Sequence, residues 1–94
     1  MQPFDKKYVC DLAKQVLTID SPTGYTKRAI DFMDEEAKKL GYTTGRNQKG
    51  NLLIYVDGKD SEHTLGLSAH LDTLGLMVRS IKDNGKLAIT KVGG

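Results

Sequence analysis

The chain has 94 residues, of which 38% are hydrophobic and 28% are charged, and its formal net charge is +2. This composition excludes a disordered, collagen-like or disulfide-built chain, and the mixed charges and lack of a long apolar run indicate no nucleic-acid partner and no membrane. A chain of this length is expected to form one domain that buries about 60 to 70% of its surface. Cys10 is the only cysteine, which excludes an internal disulfide and is compatible with a cytoplasmic protein.

Two amphipathic helices are predicted in the first 41 residues. Apolar residues recur at helical spacing between positions 9 and 17 and predict a helix over residues 5–18, with Asp5 as its N-cap. A second apolar stripe, between positions 30 and 40, predicts a helix that follows Thr26 as N-cap and ends before Gly41. The charged residues of the second helix lie opposite its apolar stripe and are assigned to a solvated face: Asp34, Glu35, Glu36, Lys38 and Lys39.

From residue 42 onward the pattern changes to one that predicts strands. Two continuous apolar runs, residues 52–56 and 64–69, have strand length and predict strands that are covered on both faces, as in α/β proteins. Residues 76–81 and 86–92 flank Asn84-Gly85, a pair that can supply the positive φ angles of a tight hairpin turn. The expected fold class is α/β, with two helices followed by the strands of a mixed sheet.

His70 and Asp72 are the candidate functional residues, because they follow the predicted buried strand 64–69, where α/β sheets place their ligand sites. Residues two apart in an extended segment point to the same side, so the two side chains are expected to share one cavity. A neutral imidazole is a good ligand for zinc or cobalt, and a nearby carboxylate orients the ring and raises its basicity. The alternative is that the two residues only cap a neighbouring loop. His63 and Cys10 are assigned no functional role.

Several segments, taken in order, resemble one family of enzymes. Residues 20–25 (Asp-Ser-Pro-Thr-Gly-Tyr) are similar to a Ser-Pro-Ser-Gly loop between two helices, and residues 49–52 to a Gly-Asn entry into a strand. Residues 68–72 match an Ala-His-x-Asp segment, and residues 75–78 match the strand beyond it. With the Gly93-Gly94 pair, these segments resemble the tetrahedral, dodecamer-forming di-metal aminopeptidases, which include glutamyl aminopeptidases, deblocking aminopeptidases and members once described as endoglucanases.

The resemblance implies a metal-dependent aminopeptidase that hydrolyses N-terminal residues from peptides and assembles as a homo-oligomer. It implies that residues 1–74 are the N-terminal part of a co-catalytic metallopeptidase domain, and that residues 75–94 begin an inserted small β domain used in assembly. In the family, the histidine that matches His70 ligates one of two divalent ions, zinc or cobalt. The aspartate that matches Asp72 steers that histidine and is counted with the catalytic residues. The other ligands lie later in the family's chains, so this chain offers at most one ligand and is expected to be inactive alone.

Two other functions stay open beside this one. The first is a co-catalytic metal hydrolase of the carboxypeptidase and aminoacylase type, which also uses His-x-Asp but usually continues with Val-Pro and a loop. Here Leu74-Gly75 and an apolar strand follow, which favours the aminopeptidase. The second is a non-enzymatic small α/β binding module in which His70 is incidental.

Overall fold

Two helices precede two separate antiparallel strand pairs in the computed structural model, which describes residues 3–94. The order of elements along the chain is α1 (Lys6–Leu17), α2 (Lys27–Lys39), β1 (Thr43–Arg46), β2 (Leu52–Tyr55), β3 (Gly75–Ile81) and β4 (Leu87–Val92). Both predicted helices and three of the four predicted strands are confirmed to within two residues at their ends.

The helix ends are set by short local motifs. The Asp5 carboxylate accepts a hydrogen bond from the Tyr8 N–H at 2.9 Å, so it caps α1 as predicted. Helix α2 ends in a Schellman motif, in which Gly41 has a φ of 90° and the Tyr42 N–H donates to the Ala37 carbonyl at 3.0 Å. Thr26 occupies the N-cap position of α2, but its side chain makes no capping hydrogen bond.

Helix α2 is the centre of packing, and its charged face is not simply solvated as predicted. Ala29 and Ala37 are 0% and 5% exposed. The Asp34 side chain is only 13% exposed, because Thr44 and Arg46 of β1 donate hydrogen bonds to its two oxygens. Glu36 accepts a hydrogen bond from the Tyr8 hydroxyl of α1 at 2.8 Å. Both acidic residues therefore join α2 to neighbouring elements.

Strand β1 is an element that the sequence pattern did not predict. It pairs antiparallel with β2, with Thr44 opposite Ile54 and Gly45 opposite Leu53. Its sequence, Thr-Thr-Gly-Arg, carries no apolar run or alternation, so periodicity could not detect it. The β1–β2 pair packs on α2.

The β3–β4 hairpin forms as predicted, but its turn is different. The Gly85 N–H donates to the Lys82 carbonyl at 2.9 Å, and Gly85 has a φ of 78°. Among the residues described, no residue other than glycine has a positive φ, so Asn84 does not adopt the left-handed geometry of a tight two-residue turn. The connection is a three-residue loop closed by glycine, and a bulge at Arg79 shifts the register of β3.

The two helices and the strand pairs are compatible with the predicted α/β class, but the predicted strand 64–69 is not formed and the mixed sheet is not confirmed. Within residues 3–94, the strands form two sheets of two strands each, and residues 64–69 belong to neither. Leu65 and Leu67 are 84% and 91% exposed. A strand needs a neighbour to accept and donate its backbone hydrogen bonds, and no strand lies beside this run in the part of the chain described.

The expected hydrophobic core is also absent from the described residues, among which only Ser21, Ala29 and Ala37 are buried. The accessible surface is 8496 Å², whereas a folded monomer of this size exposes about 5,400 Å². The radius of gyration is 17.8 Å, against about 12 Å for a compact domain of this length. The chain is extended, and most of its apolar side chains face solvent. Neither helix in residues 3–94 has the length and hydropathy needed to cross a bilayer.

Candidate functional site

The loop between the two helices holds the segment that carries His70 and Asp72. The Thr73 N–H donates to the Ser21 carbonyl at 2.8 Å, and the Ser21 hydroxyl donates to the Leu71 carbonyl at 2.9 Å. Pro22 and Thr73 form a parallel bridge. Ser21 is 1% exposed, so these hydrogen bonds are shielded from water. Residues about 50 positions apart thus form one local unit.

Gly75 permits the close approach of this loop. A Cβ atom added at Gly75 would lie 2.6 Å from the Cβ atom of Pro22, well inside any normal contact distance. Pro22 therefore sits against the backbone at the start of β3, immediately after the candidate residues. The contact fixes where the loop lies along the segment.

His70, Asp72 and Thr23 are joined by hydrogen bonds through the Asp72 carboxylate. His70 Nδ1 lies 2.9 Å from Asp72 Oδ1 and 3.1 Å from the Asp72 carbonyl. The Thr23 hydroxyl donates to Asp72 Oδ2 at 2.6 Å. The two predicted residues are thus brought together, and a third, Thr23, contacts the opposite oxygen of the same carboxylate.

These contacts determine where the His70 ring carries its proton. The hydrogen bond from Thr23, followed by that from His70, lowers the pKa of Asp72. An ionised carboxylate only accepts hydrogen bonds, so Nδ1 of His70 must carry the hydrogen. In the neutral ring, Nε2 then presents its lone pair, and the side chain is 85% exposed. His70 therefore offers one nitrogen atom suited to binding a metal ion.

The site lies in an open cleft of about 770 Å³. One wall comes from α2, through Ile30 and Met33, and another from residues 52–54 of β2. Residues 67–72 form the third side and place His70 and Asp72 in the cleft. An ionisable pair is thus set beside largely aliphatic walls, as is usual for small-molecule and peptide sites.

The described residues do not make a complete metal site. No group of three or more His, Cys, Asp and Glu side chains that could hold an ion occurs in residues 3–94. A catalytic zinc site usually takes three protein ligands. The chemistry of this donor set therefore fits one ligand, His70, with an orienting carboxylate.

A second histidine shows that a His–Asp pair does not by itself indicate a metal site. His63 Nδ1 lies 2.8 Å from Asp60 Oδ2, and the His63 side chain is as exposed as that of His70, but His63 does not line the cleft. The surface position agrees with the sequence interpretation of His63, and Cys10 is exposed on α1. What distinguishes His70 is the cleft and the support of its carboxylate by the helix-connecting loop.

Sequence reasoning missed the contacts made by Ser21 and Thr23. The sequence places both residues only in the loop motif of residues 20–25, and Thr23 is 49 positions from its partner Asp72. Hydroxyl residues next to a proline usually serve their own turn. Nothing in local spacing indicated a partner so far along the chain.

Comparison with known proteins finds similarity to aminopeptidases. Residues 50–94 match the M42 glutamyl aminopeptidase family. Over these residues the chain is similar to this family. The match contains β2, the candidate residues and the β3–β4 hairpin.

The relatives extend the similarity toward the N-terminus. YhfE of Bacillus subtilis (strain 168), named as a candidate aminopeptidase, is 40% identical over 84 residues, which cover 89% of this chain and 24% of YhfE. A glutamyl aminopeptidase of Lactococcus lactis subsp. cremoris (strain MG1363) is 26% identical over 95 residues, covering 100% of this chain and 25% of that protein. This chain thus spans about a quarter of the length of the curated relatives it matches.

Proposed function

We propose that the protein is a metal-dependent aminopeptidase, and that this chain carries one metal ligand and its orienting carboxylate. The observation that carries the proposal is the His70–Asp72 pair in the cleft, with Nε2 of His70 free, in the segment that matches the M42 family. The substrates proposed are peptides with a free N-terminus, as the names of the relatives suggest.

His70 would hold a divalent ion through Nε2, and Asp72 would keep the ring in the Nδ1-protonated form. We propose two ions, zinc or cobalt, with the remaining ligands supplied by other parts of a longer chain. Divalent ions in such sites polarise a carbonyl group and lower the pKa of water. The described residues would carry only part of this chemistry. Asp72 accepts a hydrogen bond from the Nδ1–H group of His70, orients the ring and increases its basicity, while the cleft walls would lie along one side of a bound peptide.

The domain organisation, assembly and location are also part of the proposal. We place residues 1–74 in the catalytic domain and residues 75–94 at the start of an inserted β domain. In support, β3 and β4 pair with each other and, within the described residues, with neither β1 nor β2. A homo-oligomer in the cytoplasm is proposed, because the β3–β4 hairpin exposes apolar side chains and the sequence has a single cysteine.

The test compares three variants of the full-length gene product by metal content and by turnover of peptides with free N-termini. His70→Ala should lose part of the bound metal and nearly all activity. Asp72→Asn keeps a similar shape but removes the charge, and should lose about 10- to 100-fold in metal affinity or activity. His63→Ala is the matched control, because it removes the other His–Asp pair and should leave both properties unchanged.

Four results would contradict the proposal. Wild-type turnover by His70→Ala would remove this segment from the active site. Equal metal loss in His70→Ala and Asp72→Asn would make Asp72 a direct ligand. Hydrolysis of N-acylated amino acids alone would favour the carboxypeptidase and aminoacylase type, and no hydrolysis by metal-loaded protein would favour a binding module.

A further inference from the structure

The Asp72 carboxylate is held from two sides, and the proposed function uses only one of them. Oδ1 faces the His70 ring, while Oδ2 accepts the Thr23 hydroxyl at 2.6 Å. The Asp72 side chain is 38% exposed, so solvent competes for both oxygens. A carboxylate with a single partner turns freely about its last side-chain bond, whose torsional preference is broad. A second hydrogen bond removes that freedom.

Thr23 is well placed to act as this second anchor because its own backbone is fixed. The residue before it, Pro22, packs on Gly75, and Ser21 exchanges two hydrogen bonds with residues 71 and 73. The Tyr25 N–H closes the turn on the Pro22 carbonyl at 2.7 Å. The position of the Thr23 hydroxyl relative to Asp72 is therefore set by the loop and not by the exposed side chains around it.

We propose that Thr23 is a positioning residue, whose hydroxyl holds Asp72 so that Oδ1 stays directed at His70 Nδ1 and keeps Nε2 of His70 free for metal. The inference rests on the proposed function for its catalytic consequence, but its structural consequence, the tautomer of His70, exists without metal or substrate.

The first experiment measures that tautomer in the metal-free 94-residue chain, by long-range ¹H–¹⁵N NMR at a pH where the rings are neutral. The wild-type His70 ring should be mainly protonated on Nδ1. Thr23→Val preserves the shape but removes the hydroxyl, and should raise the population protonated on Nε2 several-fold. Thr23→Ser restores the hydroxyl and should restore the wild-type spectrum. The His63 ring in the same spectra and Thr43→Val, on an exposed residue of β1, are the controls.

The second experiment uses the full-length gene product, so that the inference can be tested even where the short chain or a variant is unfolded. Thr23→Val should lower both metal retention on dialysis and kcat by about tenfold. This is the lower end of the loss seen when a residue that supports a metal ligand by hydrogen bonding is removed. KM should be unchanged, because the hydroxyl group faces Asp72 and not the peptide. Thr23→Ser should recover most of the loss.

The outcomes distinguish the role of Thr23 from the proposed aminopeptidase function. If the wild-type enzyme is active and Thr23→Val has the same His70 tautomer, metal retention and kcat as the wild type, the role of Thr23 is overturned and the proposed function is not. Equal losses in Thr23→Val and Thr23→Ser also overturn it, because the effect would then come from the loop and not from the hydroxyl group. A tautomer that changes as expected in a protein that hydrolyses no peptide supports the role of Thr23 and contradicts the proposed function.

Discussion

Gly75 is the residue on which the approach of the helix-connecting loop depends. The space for its missing side chain is taken by Pro22, whose Cβ atom would be 2.6 Å from an added Cβ. The flexibility of a long side chain cannot relieve this contact, because the proline ring is rigid. The loop or the start of β3 must move if any other residue replaces this glycine.

We expect Gly75→Ala to destabilise the chain by about 1 to 3 kcal/mol, the usual cost of overpacking. It should also expose the Thr73 amide, which bonds the Ser21 carbonyl, to hydrogen exchange. Urea unfolding and exchange at that amide measure the two effects. Gly66→Ala is the matched control, because an added Cβ there meets no atom within 4 Å. Equal stability of the two variants would mean that Pro22 does not pack against Gly75.

Between elements, a group of hydrogen bonds and ion pairs joins α2 to β1. Thr44 donates to Asp34 Oδ1 at 2.6 Å, and Arg46 lies 3.0 Å from Asp34 Oδ2 and 2.8 Å from Asp31. The Thr44 hydrogen bond, followed by those from Arg46 and Lys38, lowers the pKa of Asp34 from 3.8 to about 2. The charged form of Asp34 is therefore the form that the folded chain favours.

The stability of this link should depend on pH in a defined window. Because the pKa of Asp34 is depressed in the folded chain, its contribution is complete above about pH 4 and is lost as the pH falls toward about 2. We expect Asp34→Asn to unfold at lower urea concentration than the wild type at about pH 5, with the difference shrinking at about pH 2.5. Asp57→Asn, in the exposed irregular segment after β2, is the control for other acid effects. A difference that stays constant with pH would contradict the role of the charge.

For the molecule as a whole, the unpartnered β3–β4 hairpin dominates its expected behaviour in solution. Leu76, Met77 and Val78 are 67%, 59% and 53% exposed, and neighbouring residues of a strand point to opposite faces. Both faces of the hairpin therefore expose apolar side chains, and each of its strands has an unpaired edge within the described residues. Such an edge is a template for pairing with another chain.

The 94-residue chain is therefore expected to self-associate. Size-exclusion chromatography with light scattering should show dimers or larger species at high protein concentration. Met77→Lys and Val78→Lys place a charge on opposite faces of β3, and the variant that reduces association more identifies the face in contact. A monodisperse wild-type monomer would mean that the hairpin is covered in solution.

The fold was predictable where its causes are local. The stripes of α1 and α2, the Asp5 cap, Gly41 and the hairpin glycine each act over a few residues, and each was found from spacing alone. Strand β1 was not predicted, because its pairing with β2, and not its composition, makes it a strand. The run 64–69 was misassigned for the converse reason, because its apolar composition has no pairing partner in the described residues.

The sequence by itself determined the two helices, the hairpin, the candidate pair His70 and Asp72, and the family resemblance. Only the tertiary structure decided that the loop after α1 holds Asp72, that Thr23 contacts its second oxygen, and that Nδ1 of His70 faces its first. The physical reason is distance along the chain. Helix periodicity and turn chemistry act between near neighbours, whereas the contacts that orient the site join residues 49 and 50 positions apart and depend on how the backbone folds back.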